Sequence, residues 1–431
     1  MPNHLVIVES KTKADTIGRF LGDDYTVLAS YGHVRDLPEK GLGIDVDNHF
    51  ALAWDEPRGR SREVVTSIKR ALKDADVLYL ATDEDREGES IAWHLLEILK
   101  PKVDVHRMVF HEITREAIDH AIESPRDIDR RLVEAADGRR ILDRLVGYEV
   151  SPVLWRRVPS ARSAGRVQSV AVRLVVERER ERMRFRRAGY WDLAATMRAA
   201  SGADQRTFAA KLAEVGGAPV ATGKDFDPDT GALKPSSKAR HLDEAAATAL
   251  SAALGDAAFR VLSAEQKPGT SSPKDPFRTS TLQQEAGNKF SWSAGRTMSI
   301  AQGLYERGYI TYMRTDSANL SQQAIHAART QIADRFGSEY MYPNEHGRKA
   351  RGKATGAQEA HEAIRPAGER FRAPDEVSRE LSKDEFTLYD LIWKRTLASQ
   401  MANAEYQQST LRIGAEAAGE QVEFRASGRQ Y

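Results

Sequence analysis

Short apolar runs and amphipathic stretches alternate along the first 150 residues. Leu5-Val6-Ile7-Val8 is an unbroken apolar run, and Lys11 to Leu21 then carries helical spacing that stops at Gly22. Residues 63–73 carry helical spacing too. Val77-Leu78-Tyr79-Leu80-Ala81 is a second buried-strand run, and Ile91 to Leu99 predicts a helix before Pro101. Short apolar strands separated by helices predict a parallel sheet of the doubly wound type. Residues 36–60, rich in Pro, Gly and Asp, read as an excursion from that sheet.

The pattern changes further on. Residues 139–187 are more helical, and from Tyr190 to about Lys267 short strand-like runs alternate with turn signals such as Gly216-Gly217 and Pro228-Asp229. One Ala-rich helix is predicted near 242–254. Residues 268–276, with three prolines, read as a linker. Residues 279–400 are mainly helical. Ser321 opens a helix that stops at Gly337, and Ser382 with Glu385 forms a capping box ahead of another. From Gln407 to Tyr431 strand-like alternation returns. No internal repeat is visible.

Composition narrows the class only slightly. Of 431 residues, 41% are hydrophobic and 29% charged, which suits an ordinary globular chain. Lys+Arg of 64 against Asp+Glu of 63 leaves a net charge of +1, so any claim for nucleic acid must rest on local clusters. Ser151 to Arg187 is such a cluster, with eleven Arg, no Lys and three Glu, an excess of +8. The absence of Cys excludes disulfides and thiolate zinc sites within this span. No 18-residue apolar run and no export signal is present, which predicts a soluble, unexported protein without membrane contact.

The acidic run Asp83-Glu84-Asp85-Arg86-Glu87 follows the Val77–Ala81 strand directly, and Glu9 ends the first strand. Ligands of open parallel sheets bind beyond the carboxyl ends of the strands. Glu9, Asp83, Asp85 and Glu87 should therefore converge there, and crowded carboxylates call for a cation such as Mg2+. An isolated D-x-D is more often a solvated acidic turn. The strand in front, the glycine turn behind and the second strand ending in Glu tip the reading toward a metal. Lys13, near a helix start, could touch phosphate; alone it would read as a surface lysine.

Tyr312 lies in Gly308-Tyr-Ile-Thr-Tyr-Met-Arg-Thr-Asp-Ser317, between two helical stretches. Tyrosine needs help to act as a nucleophile, since its reference pKa is about 10. In an extended segment Arg314 points to the same side and could favour the phenolate. Tyr309 competes but has no such partner at that spacing. From spacing alone a core tyrosine beside a surface arginine fits as well.

Leu5-Val-Ile-Val-Glu-Ser10 with Lys13, and Ala81-Thr-Asp-Glu-Asp-Arg-Glu-Gly-Glu89 followed by Ile91-Ala-Trp-His-Leu95, resemble the two signatures of the Toprim domain, found in topoisomerases, primases and some nucleases. Ile310-Thr-Tyr-Met-Arg-Thr-Asp-Ser317 is similar to the active-site segment of type IA topoisomerases. Met313 resembles the bacterial topoisomerase I branch more than the topoisomerase III branch. Three further blocks fit in family order: Arg139 to Trp155 with Ser163 to Ser169, Phe277 to Ala286, and Gln358-Glu-Ala-His-Glu-Ala-Ile-Arg-Pro366. His111 departs from the Asn of many relatives, and Pro159-Ser-Ala-Arg162 departs from the usual basic lead.

The resemblance implies a multidomain fold: an α/β Toprim domain, helical domains and a β-rich arch forming a torus, incomplete in this span. It assigns residues 1–35 and 61–150 to the Toprim domain, and 36–60 and 151–187 to a DNA-groove domain. The arch takes 188–273 and 403–431, and 274–402 carry the tyrosine. It implies a monomer that relaxes negatively supercoiled DNA in the bacterial cytoplasm, with Tyr312 as nucleophile and Mg2+ on the Toprim acids. Arg314, Lys13, Glu9 and His361 would assist. His33, Arg139, Arg140, Asp143, Tyr148, Trp155, Ser163, Ala164, Gly165, Arg166, Val167 and Gln168 would touch single-stranded DNA together with Arg314. Arginine pairs with phosphate and aromatic rings stack on bases, which agrees. Trp155 could equally be partly core, His361 without its neighbours would read as structural, and the Arg-Glu alternation after Val176 reads as a solvated helix face. The alternatives kept open are a topoisomerase III-like decatenase, a Toprim nuclease, and a single-strand-binding fragment of a longer enzyme that cleaves weakly.

Overall fold

Leu5, Val6, Ile7 and Val8 are each fully buried, because the strand His4–Val8 sits inside a sheet covered on both faces. Each such side chain contributes about 1.5–3 kcal/mol by burial. The structure, a computed structural model, describes residues 3–200, 206–351 and 362–431. The chain divides into two compact units, residues 1–166 with 273–402 and residues 167–272 with 403–431.

The first unit is built on a four-stranded parallel sheet in the order Tyr25–Ala29, His4–Val8, Val77–Leu80, Asp104–Arg107. Strand alternation sends Leu5, Ile7, Leu78 and Leu80 to one face, where the helices Arg60–Leu72 and Arg86–Leu99 supply Val65, Ile68, Ile91 and Leu95. Val6, Val8 and Tyr79 point to the other face. There the core is continuous with Phe277, Leu304, Tyr305, Ile310 and Tyr312, so the helical stretch after residue 273 packs on the sheet itself. Its helices include Thr279–Phe290, Ala294–Glu306, Gln322–Phe336 and Lys383–Ser399. Ser321 caps its helix and the Ser382–Glu385 box forms both of its bonds. The excursion at 36–60 holds a small hairpin, Ile44–Asp45 with Ala51–Leu52.

The second unit is an antiparallel sheet ordered Arg260–Ser271, Ala404–Ala417, Glu420–Gln430, Thr207–Val215, Ala194–Arg198. The helix Glu244–Leu254 packs on it through Leu250 and Leu254. The expected linker at 268–276 is shorter than the prolines suggest. Pro268 pairs with Gln407 inside the strand Arg260–Ser271. That strand is at the sheet edge, where a proline is tolerated. Among the described residues no helix is long and apolar enough to cross a membrane.

Candidate active site

Two strand ends create the site. Because His4–Val8 and Val77–Leu80 are adjacent and parallel, the residues that follow them emerge side by side. The Asp83 N–H donates to Glu9 Oε1 at 2.6 Å. The acidic loop is then pinned from below by Arg107, a fully buried guanidinium that donates to the carbonyls of Leu80 and Thr82 at 3.0 and 2.9 Å and to that of Asp83 at 2.6 Å. Arg107 is itself held by the buried Glu89 at 3.0 Å. Gly88 makes the tight return possible, since a Cβ there would meet the Asp83 carbonyl oxygen at 2.2 Å. Asp85 caps the helix Arg86–Leu99 through the Gly88 N–H at 2.9 Å.

Lys13 projects from the helix Lys11–Leu21 and bonds to both Glu9 and Asp83. Burial opposes the ammonium charge, but the Asp83 and Glu9 carboxylates outweigh it and hold the pKa above its usual value. The acid side remains in excess. Burial, reinforced by Glu9 and opposed by Lys13, pushes the Asp83 carboxyl up to about 7. Glu87 turns away from this group. It bonds to His33 Nε2 at 2.5 Å, and that bond holds it down at about 2.

Tyr312 arrives from the helical part of the unit. Its N–H donates to the His111 carbonyl at 2.8 Å, which docks the Tyr312 segment beside the sheet. Gly308, at φ 77°, permits the close approach that precedes it, with the Ile113 carbonyl 2.3 Å from where a Cβ would stand. The phenol is 2% exposed and donates to Asp85 Oδ2 at 2.6 Å. Arg314 lies 4.0 Å from the same oxygen. Arg314 does favour the phenolate, as its spacing suggests, but it is outweighed in this arrangement. Burial first, then Asp83 and Asp85, raise the Tyr312 pKa, and Arg314 only partly offsets them. Tyr309 is directed elsewhere, to Glu380 at 2.6 Å.

A second joint lies beside Tyr312. The Arg365 backbone brackets Thr311, and its buried guanidinium reaches Glu112 at 2.8 Å and Glu362 at 2.8 Å. Thr279 fixes Arg314 from behind. Its hydroxyl donates to the Met313 carbonyl at 2.7 Å and accepts from the Thr315 N–H at 2.9 Å.

Beside these groups opens a cleft of about 930 Å³. Arg86, Arg139, Arg140, Arg144 and Arg314 line it with Asp36, Glu39, Asp85, Glu87, Asp143 and Asp316. Several of its charges are already paired: Arg140 with Asp36 at 2.5 Å, and Asp143 with Arg166 at 2.7 Å. Tyr148 sits in a widened π turn, Val146–Val150, with Arg144 5.0 Å from its ring centroid. Trp155 is exposed and donates its indole N–H to the Arg162 carbonyl at 2.8 Å, so it is no core residue. The Ser151 hydroxyl holds the Ala164 N–H at 3.0 Å, ahead of the half-buried Gly165, and Ser163 is exposed. Val167 and Gln168, exposed, open the second unit. His361 lies outside the described residues.

Glu9, Asp83 and Asp85 thus come together with Lys13 and Tyr312, while Glu87 goes to His33. Their oxygens are the hard donors that Mg2+ takes. Among the described residues no three acidic or histidine side chains stand ready-arranged around a metal position, and the Lys13 ammonium fills the space between Glu9 and Asp83. Sequence reasoning missed Tyr305, Thr279 and Arg107. Each acts across a tertiary contact, and no spacing signals it.

Two family models match the chain, a Toprim domain over residues 4–113 and a DNA topoisomerase model over residues 127–431. DNA topoisomerase 1 of Mycolicibacterium smegmatis is 55% identical over 444 residues, covering 99% of this chain and 47% of that protein. DNA topoisomerase 1 of Synechocystis is 52% identical, covering 99% and 48%. The chain spans about half the length of these curated relatives. The solved full-length topoisomerase I of Thermotoga maritima superimposes with a TM-score of 0.78 at 35% identity, covering 99% of this chain and 65% of that one.

Proposed function

Since this chain belongs to the type IA DNA topoisomerase family, we propose that it cuts one DNA strand through Tyr312 and rejoins it, relaxing negatively supercoiled DNA. The observation that carries this reading is the Tyr312 phenol, 2.6 Å from Asp85 and beside the Glu9–Lys13–Asp83 cluster. Nucleophile and acid cluster come from one chain, which favours a monomer. Work on chromosomal DNA places it in the bacterial cytoplasm. Residues 1–35 and 61–150 serve as the Toprim domain and 274–402 carry the nucleophile. Residues 36–60 with 151–187 contribute to the strand groove, and 188–273 with 403–431 to the arch.

A single-stranded segment enters the cleft, its phosphates taken by Arg139, Arg140, Arg144 and Arg314 in exchange for carboxylate partners. His33, Tyr148 and Trp155 meet the strand beside them, as do Ser163 to Gln168. The scissile phosphate lies against Tyr312, Lys13 and Arg314. The phenol loses its proton to Asp85 as Tyr312 Oη bonds to phosphorus and the bond to the 3′ oxygen breaks. The proton taken up by Asp85 is released to solvent and the 3′ oxygen takes one from solvent, so the products are a 5′-phosphotyrosine and a 3′-hydroxyl. One phosphodiester replaces another, and no ATP is needed. Cations opposite the developing phosphoryl charge lower the barrier. Glu9 and Asp83, with Asp85 beside them, would hold Mg2+, which supplies positive charge to the phosphate and the 3′-hydroxyl during rejoining.

The test is a labelled single-stranded oligonucleotide incubated with the protein and denatured. A covalent adduct should map to Tyr312. Tyr312→Phe should abolish it and leave strand binding intact. An adduct that persists in the Phe variant would sink the assignment.

A further inference from the structure

Tyr305 lies in the last turn of the helix Ala294–Glu306 and is fully buried. Its hydroxyl donates to Asp83 Oδ1 at 3.1 Å, the oxygen that also takes Lys13. Its ring stands edge-on to that of Tyr312, 5.2 Å between centroids at 66°. The Lys13 ammonium lies 5.2 Å from its ring centroid. One side chain therefore meets Tyr312, the buried Lys13 ammonium and the Asp83 carboxylate at once. An ordinary core tyrosine needs packing and one hydrogen-bond partner, and a neutral partner would serve. Here the partner is the acid whose state the chemistry depends on.

We propose that Tyr305 is a positioning residue for the transesterification: its hydroxyl orients the Asp83 carboxylate for Mg2+, and its ring fixes the direction of the Tyr312 phenol. Fully buried, it has no access to DNA and works through those two residues. Partners that orient a metal-binding carboxylate usually govern metal affinity by about 10-fold or more. A ring packed edge-on against another restricts the torsions open to it. The inference rests on Tyr312 being the nucleophile and on Asp83 facing the metal.

Two variants of the chain separate the two roles. Tyr305→Phe keeps the ring and removes the hydroxyl, and Tyr305→Leu removes both. Mg2+ titrated calorimetrically into DNA-free protein should bind about 10-fold more weakly to the Phe variant than to wild type. Adduct formation with the oligonucleotide in EDTA should change less than about 3-fold in the Phe variant and fall more than about 10-fold in the Leu variant. Unchanged Mg2+ affinity in Tyr305→Phe would overturn the role of the hydroxyl. Wild-type adduct formation in a folded Tyr305→Leu would overturn that of the ring, and if Leu does not fold, a 10-fold loss already in the Phe variant would overturn the division. If wild type itself forms no adduct, the nucleophile reading fails instead, and the calorimetric comparison still stands.

Discussion

The phenol of Tyr312 donates to Asp85 across 2.6 Å, although the two residues lie 227 positions apart in the chain. If Tyr312 is the nucleophile, as proposed, the contact makes Asp85 the acceptor for its proton. In this arrangement burial and two carboxylates disfavour the free phenolate, which gives the proposed mechanism a need for a base at this point. Asp85→Asn removes the acceptor and keeps a helix cap of equal quality. Adduct formation should fall by about 100-fold or more, the usual contribution of a general base. Thermal unfolding should stay near that of wild type. Rapid-quench cleavage of an oligonucleotide measures the first, and a wild-type rate would remove Asp85 from the mechanism.

Gly308 makes a second prediction. At φ 77° a side chain is strained, and its Cβ would meet the Ile113 carbonyl oxygen at 2.3 Å. Gly308→Ala should cost about 2–4 kcal/mol from left-handed strain and overpacking together. It should also slow adduct formation, because the segment running to Tyr312 docks at this point. A urea unfolding midpoint unchanged from wild type would show that the approach relaxes freely.

His94 gives a dependence on pH. It is fully buried on the helix Arg86–Leu99, and both ring nitrogens lack partners. Burial, helped by Arg35 and His33, lowers it from 6.5 to about 2. The unfolded chain takes up this proton below pH 6.5, whereas the folded chain holds off until about pH 2. Stability therefore declines on acidification through that window, by about 1.4 kcal/mol per pH unit from this one group. Between pH 7.5 and 5.5, His94→Leu should lose about 1.4 kcal/mol less than wild type in urea unfolding. Equal losses in the two proteins would mean that His94 is protonated in the folded state.

Much of the first unit was legible because its signals are local. The apolar run Leu5–Val8 and the helix from Lys11 to Leu21 state their structure in their own residues. So do the caps at Ser321 and Ser382. Pro268 misled, because whether a proline ends a strand depends on whether that strand lies at a sheet edge. Arg314 was legible in part, since its charge does favour the Tyr312 phenolate. Two residues' spacing put it on the side of Tyr312, but its charge is shared with Asp85, from another element.

By itself the sequence determined the element types, the parallel α/β character of the first part, the acidic loop and the segment that bears Tyr312. These follow from side-chain periodicity and turn chemistry within about ten residues. Only the tertiary structure decided that Glu87 leaves the acidic group for His33, that Lys13 sits between Glu9 and Asp83, and that Tyr305 reaches Asp83. Which partner a buried charge or hydroxyl takes depends on which elements pack against it, and desolvation leaves such groups few partners. That competition is settled in space, between residues far apart in the chain.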